Sequence, residues 1–180
     1  MTKTSLLTTA VIAGAFSLVA GAALAASGGG SSSSGTATPH CKTGYVWNAS
    51  KGKCEKATSS NMDDKTLYAE GRDLALAGRY QEALTALDAV KNPDSMTFTM
   101  IGYAQRKQGN YDIGVAYYAK ALALDPNNIN THEYLGEAYA EKGKLDLAKA
   151  ELIKVGAVCG QTCEQYQDLA KAIAGTPSQS

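Results

Sequence analysis

Four cysteines are the most reactive side chains of this 180-residue sequence, and they sit in two local pairs, Cys41 with Cys54 and Cys159 with Cys163. Thiols so placed can bridge, bind zinc or exchange electrons. Zinc needs four ligands in one place. Besides the thiols only His40 and His132 are available, and the two cysteine pairs lie far apart in the chain. Electron exchange favours C-x-x-C at a helix start, where a thiolate stays exposed, and Cys159-x3-Cys163 departs from that spacing. Structural disulfides, Cys41–Cys54 and Cys159–Cys163, are the preferred reading of both pairs, with no metal and no cofactor. Closing about a dozen residues with the first bridge contributes roughly 2 to 3 kcal/mol through the unfolded state.

Other reactive patterns are weaker. His132-Glu133 begins like the zinc-protease helix H-E-x-x-H, but Gly136 stands where the second His belongs. Asp63-Asp64 suits a helix N-terminus, where acidic groups complement the dipole. Asn48-Ala49-Ser50 is a glycosylation acceptor only in a eukaryotic secretory pathway. There is no Gly-rich phosphate loop and no nucleophile with a sequence-adjacent base, so a non-enzymatic role is expected. Basic and acidic residues number 17 each, a balance that offers no bulk attraction to nucleic acid or anionic membrane.

The elements that carry these residues are set by a repeat. Gly71, Gly102 and Gly136 recur at offsets of 31 and 34 residues, and Gly78, Gly109 and Gly143 recur at the same two offsets. Tyr80, Tyr111 and Leu145 follow suit, then Ala83, Gly114 and Ala148, then Leu87, Tyr118 and Leu152. Such a period predicts a stack of helix pairs, each burying its apolar face on its neighbour. The first glycine of each set lies where the second helix crosses close to the first. The second ends the first helix in the left-handed conformation. Pro93 and Pro126 stop the second helices.

The pattern resembles the tetratricopeptide repeat: aromatic, Leu-Gly and Tyr in the first helix, then Ala-x3-Phe and a closing Pro in the second. His132, Leu135, Gly136, Tyr139, Ala148 and Leu152 give the third repeat, with His132 in the aromatic slot and Gly160 in place of the proline. Phe98, Ile101, Gly102, Gly109, Tyr111, Tyr118, Ala121 and Pro126 give the second, with Gly114 in the Ala slot and Gln105 in the Tyr slot. Leu67, Gly71, Leu74, Gly78, Tyr80, Ala83 and Leu87 give the first, where Glu70 occupies a normally apolar slot. The resemblance implies an all-α fold of about three helix-turn-helix repeats plus a C-terminal capping helix. It also implies a concave groove lined by the first helices. Lys65, Tyr68, Arg72 and Ala75 would line it first, then Met96, Thr99, Tyr103 and Arg106, then Asn130, Glu133, Glu137 and Ala140. The groove would run from basic to acidic, without the Lys/Asn/Arg set that clamps a C-terminal carboxylate in chaperone-binding members. Lys65, Tyr68, Arg72, Tyr103, Arg106, Glu133 and Glu137 are the expected contacts for a protein or peptide partner.

The N-terminal third has a different character. Lys3 precedes an uncharged stretch from Leu6 to Ala26 that ends in Ala23-Leu24-Ala25, the pattern of a secretory signal over residues 1–25. Its composition suggests a bacterial, periplasmic protein; the alternative is an inner-membrane anchor formed by an uncleaved segment. An oxidising compartment agrees with paired cysteines. Residues 26–39 read as a flexible Ser/Gly linker and residues 40–55 as a small disulfide-closed hairpin, with Tyr45-Val46-Trp47 as strand and Asn48 to Gly52 as turn. Residues 56–62 read as a second linker that leaves the hairpin independent of the repeats. The repeat domain spans 63–174, with repeats at about 64–94, 95–128 and 129–160, a capping helix at 163–174 and a tail at 175–180. The expected function is a periplasmic protein-binding scaffold that uses the groove. The alternative is an envelope protein that stacks polysaccharide on Tyr45 and Trp47, which strand alternation puts on one face.

Overall fold

Three helices start the same way. Asp63, Asp94 and Asn128 each accept the backbone N–H of a threonine three residues on, Thr66 at 2.7 Å, Thr97 at 2.8 Å and Thr131 at 3.1 Å. These caps satisfy one of the orphan donors of each helix, and they recur at the 31- and 34-residue offsets of the glycines. They open α1 (Asp64–Leu76), α3 (Ser95–Lys107) and α5 (Ile129–Glu141). Each is followed by a partner, α2 (Tyr80–Leu87), α4 (Tyr111–Leu124) and α6 (Leu145–Cys159), none of which has a side-chain cap. Between the members of each pair, Gly78, Gly109 and Gly143 take positive φ of 78°, 91° and 69°, the conformation that the repeat pattern predicts for them. A last helix, α7 (Glu164–Ala174), closes the stack. The computed structural model describes residues 39–42, 44–57 and 62–176. The signal segment 1–25, nearly all of the 26–39 linker and the end of the tail lie outside the described residues.

Packing explains the glycines. A Cβ on Gly102 would lie 2.7 Å from Tyr118 and 2.9 Å from the carbonyl oxygen of Gly114, so α3 and α4 touch backbone to backbone. Gly114 occupies the Ala slot for the same reason, since its own Cβ would lie 2.8 Å from the Gly102 oxygen. Gly71 meets Leu87 in the first pair. The third pair departs from the pattern. By spacing, Leu152 should fill the slot of the buried Leu87 and Tyr118, yet it is only half-buried, and Glu151 is the buried residue. His132, standing in an aromatic slot, brings a polar ring that needs partners. Its Nδ1 lies 2.6 Å from Glu151 Oε2 and its Nε2 2.9 Å from the Pro126 oxygen, while Lys154 donates to the other Glu151 oxygen. Leu169 of α7 then fills the space beside Gly136.

Polar side chains also lie between the second and third repeats. Thr99 Oγ1 sits 2.6 Å from Thr131 Oγ1 and donates to the Ser95 oxygen at 2.7 Å, and Asn128 Nδ2 donates to Ser95 Oγ at 2.8 Å. All four residues are buried, and each is bonded, so burial carries little penalty here.

The hairpin is part of the same core. Strands β1 (Tyr45–Asn48) and β2 (Lys53–Lys56) pair antiparallel with Trp47 opposite Cys54. Val46, 2% exposed, packs with Ala57, Met62, Leu67, Ala86 and Val90 in one apolar cluster shared with α1 and α2. The segment 56–62 therefore supplies two core residues, and the hairpin is not independent of the repeats: two short strands cannot bury Val46 alone, and α1 and α2 have no preceding repeat to cover them. Ahead of the hairpin, Arg79 Nη2 donates to the Pro39 oxygen and His40 Nδ1 lies 3.1 Å from Glu82. Both disulfides form, Cys41 with Cys54 and Cys159 with Cys163, the second tying the end of α6 to the start of α7. Among the described residues no helix is long and apolar enough to cross a membrane.

Candidate functional site

The groove positions taken from the repeat pattern all lie on α1, α3 and α5, but they are not equally open. Lys65 and Arg72 are exposed, and Tyr68, Met96, Tyr103, Asn130 and Glu137 are half-buried. Ala75, Thr99, Arg106, Glu133 and Ala140 are buried. Helix α7 is one cause: Gln165 Nε2 donates to Asn130 Oδ1 at 3.1 Å, and Glu164 and Asp168 raise the acidity of the surroundings of Glu133. What remains open is a row of tyrosines edged with charge.

Three of the expected residues meet at the centre. Tyr103 stands between Tyr80, at 6.3 Å between ring centroids, and Tyr134, at 4.9 Å. The Arg106 guanidinium lies 5.8 Å from the Tyr103 centroid and donates from Nη2 to Glu137 at 2.6 Å, from Nη1 to Glu141, and from Nε to the Tyr118 hydroxyl at 3.3 Å. Arg106 and Glu137 are thus occupied with each other, and a partner at this point meets Tyr103 and the outer carboxylates. Glu133 is different. Burial, reinforced by Glu137, Asp168 and Glu164 and opposed by Arg106, pushes its pKa up to about 8. Among the described residues no donor pairs with it. On α1, Arg72 donates to Asp73 of its own helix at 2.7 Å, and Lys65 and Tyr68 line a cavity of about 240 Å³ with Asp94, Asn92 and Thr97. A second cavity, of about 270 Å³, opens at the acidic end between Lys107, Glu137, Glu141 and Thr176. The arrangement can hold a segment by aromatic contact and by donors offered to carboxylates. Among the described residues no group of three or more His, Cys, Asp or Glu side chains is placed to hold a metal.

The hairpin pair Tyr45 and Trp47 is split between two settings. The Lys42 ammonium lies 4.2 Å from the Tyr45 ring centroid, while Trp47 lines a cavity of about 440 Å³ against α1. The threonine caps carry a signal in sequence that the glycine period overshadows: Asp/Asn-x-x-Thr recurs in the same register.

A family model described as a tetratricopeptide repeat matches residues 99–155, from α3 into α6. That span, residues 99–155, is similar to the tetratricopeptide repeat. Solved structures agree in fold. The type III secretion translocator chaperone SycD of Yersinia enterocolitica is 19% identical at a TM-score of 0.54, over 62% of this chain and 81% of that one. SycD in complex with a peptide of the translocator YopD is 19% identical at a TM-score of 0.52, over 66% and 93%. PcrH from Pseudomonas aeruginosa is 21% identical at a TM-score of 0.51, over 63% and 87%. No curated protein matches the chain. The matched span leaves out α1 and α2, the helix pair with Glu70 in the apolar slot and the hairpin at its back.

Proposed function

We propose that this tetratricopeptide repeat protein is a non-enzymatic scaffold, exported to the bacterial periplasm, that captures a segment of another protein along its concave face. The observation that carries the reading is the half-open row Tyr68, Tyr103 and Tyr134 on successive first helices, with carboxylates at one end. Half-exposed aromatic rings on a rigid surface are the usual anchors of protein interfaces. SycD, which shares the fold, holds a translocator peptide. The acidic end, Glu137 and Glu141 with Glu164 and Asp168, favours a partner that brings basic residues there.

A photocrosslinking side chain at position 68, 107 or 149 tests this in intact cells. Positions 68 and 107 flank the face, whereas Lys149 is exposed on the second helix α6. One discrete adduct at 68 and 107 and none at 149 is the expected result. Adducts of equal yield at all three positions would refute the groove. Export is tested separately by mass spectrometry, which should find an N-terminus at Ala26; an intact Met1 on the membrane-bound protein would refute it.

A further inference from the structure

The repeat register assigns an apolar residue to the position before the crossing glycine, and the second and third repeats obey it with Ile101, 4% exposed, and Leu135, 7% exposed. The first repeat places Glu70 there, 8% exposed, and its Oε1 is buried without a hydrogen-bond partner among the described residues. A carboxyl so placed costs stability that an apolar side chain would not. Its pKa rises to about 7, chiefly through burial, with Asp73 and Glu82 adding to the rise and Arg79 opposing it. Such a residue persists when something outside the fold supplies the missing partner.

Glu70 lines the cavity of about 440 Å³ between α1 and the hairpin, together with Trp47, Ser50, Lys65, Thr66 and Asp73. Two of these are carboxylates and one is an indole. Asp73 already receives Arg72 on Oδ1, at 2.7 and 2.9 Å, so its charge is partly answered. Glu70 receives no donor among the described residues, and Lys65, exposed on the same helix, makes no ion pair with it. The combination of an unanswered carboxyl and an aromatic wall suits a cation on a carbon chain. A cation entering the cavity draws the Glu70 carboxyl round to meet it, and its stem lies against Trp47. We infer that this cavity is a binding site for the side chain of a lysine or arginine residue of a partner protein, next to the concave groove, with which it shares Lys65. The hairpin then has a role beyond covering the first repeat, since it brings the aromatic wall.

Trp47 is the sole tryptophan of the chain, so its fluorescence reports this cavity directly. The full chain would be titrated with N-acetyl-arginine amide, N-acetyl-lysine amide, putrescine and, as the uncharged control, N-acetyl-norleucine amide. A saturable change in Trp47 emission with the arginine or lysine probe, absent with norleucine, is the expected result. A tighter response to putrescine than to either amino-acid probe would overturn the assignment to a peptide side chain. Glu70→Gln should weaken the response by roughly tenfold or more, as expected for loss of a hydrogen bond to a charged group. Glu70→Leu restores the residue type of the third repeat; it should abolish the response while raising the melting temperature, which separates lost binding from lost folding. An equal response to norleucine, an undiminished response in Glu70→Gln, or no saturable change with any cation would each overturn the inference.

Discussion

Replacing Glu133 by Gln should make the repeat array more stable at pH 8 and leave it unchanged at pH 4.5. The carboxyl is 7% exposed, and burial with three acidic neighbours moves its ionisation from the ordinary 4.5 up to about 8. Below 4.5 the folded and unfolded chains both carry the proton, so nothing is gained or lost. Between 4.5 and about 8 the folded chain holds a proton that the unfolded chain has released, and stability must fall as pH rises through that window, levelling above it. At 1.36 kcal/mol for each pH unit of the gap, the loss has a ceiling of about 5 kcal/mol. Glu70, raised to about 7, contributes in the same direction with a ceiling of about 3 kcal/mol. The carboxyls that hydrogen bonds hold below their ordinary range, Asp63 and Asp64 among them, act on the acid side of the window. Urea melts of the wild type and Glu133→Gln at pH 4.5, 6 and 8 isolate the term by difference. The variant should gain up to several kcal/mol at pH 8, about 3 being a fair centre once water reaches part of the site. A difference between the two proteins that does not grow with pH would refute the reasoning.

Gly102→Ala should lose about 1–3 kcal/mol in denaturant melts, because its Cβ would lie 2.9 Å from the Gly114 carbonyl oxygen, a backbone atom that cannot swing aside. Arg106→Met leaves Glu137 without its cation and Glu141 with Lys107 alone, and should cost about 3 kcal/mol at neutral pH, read by the same melts; less at low pH, where carboxylates protonate. Val46→Ala should lower the melting point of the whole array, by a stability loss of about 2 kcal/mol, since Val46 completes the cluster of Leu67, Ala86 and Val90. A melt that leaves the helical signal untouched would show the hairpin to be independent after all.

Spacing made the helix pairs legible. Glycines at a fixed interval need a reason, and close crossing and left-handed turns are both short-range reasons written in one residue type, so Gly71, Gly102, Gly109 and Gly143 fell into place. Cysteine pairing was legible for the same reason. The partner of a polar side chain was not. Thr99 sits at a groove position by count, yet it turns to Thr131 and Ser95, and that depends on what stands 32 residues away. Likewise Glu151 rather than Leu152 is buried beside His132, because a ring with two polar nitrogens needs polar partners. Of the seven expected contact residues, Tyr103, Arg106 and Glu137 come together, but Arg106 answers Glu137 rather than a ligand. Nor does the sequence join the hairpin to the repeats, since a Ser/Gly tether on its other side says nothing of what Val46 faces.

The docking of the hairpin implies an order of assembly. A stack of repeats can be completed only when its outermost apolar face is covered, and at the N-terminal end the cover consists of two four-residue strands. Strands so short need outside support, here the Cys41–Cys54 bridge and the packing of Val46 on α1 and α2. Without the Cys41–Cys54 bridge the cover over Leu67 and Val90 would be held less firmly. A reduced chain would display a sticky end to chaperones and proteases, and oxidation would withdraw it, so that the thiol chemistry of the surroundings decides when the molecule counts as finished.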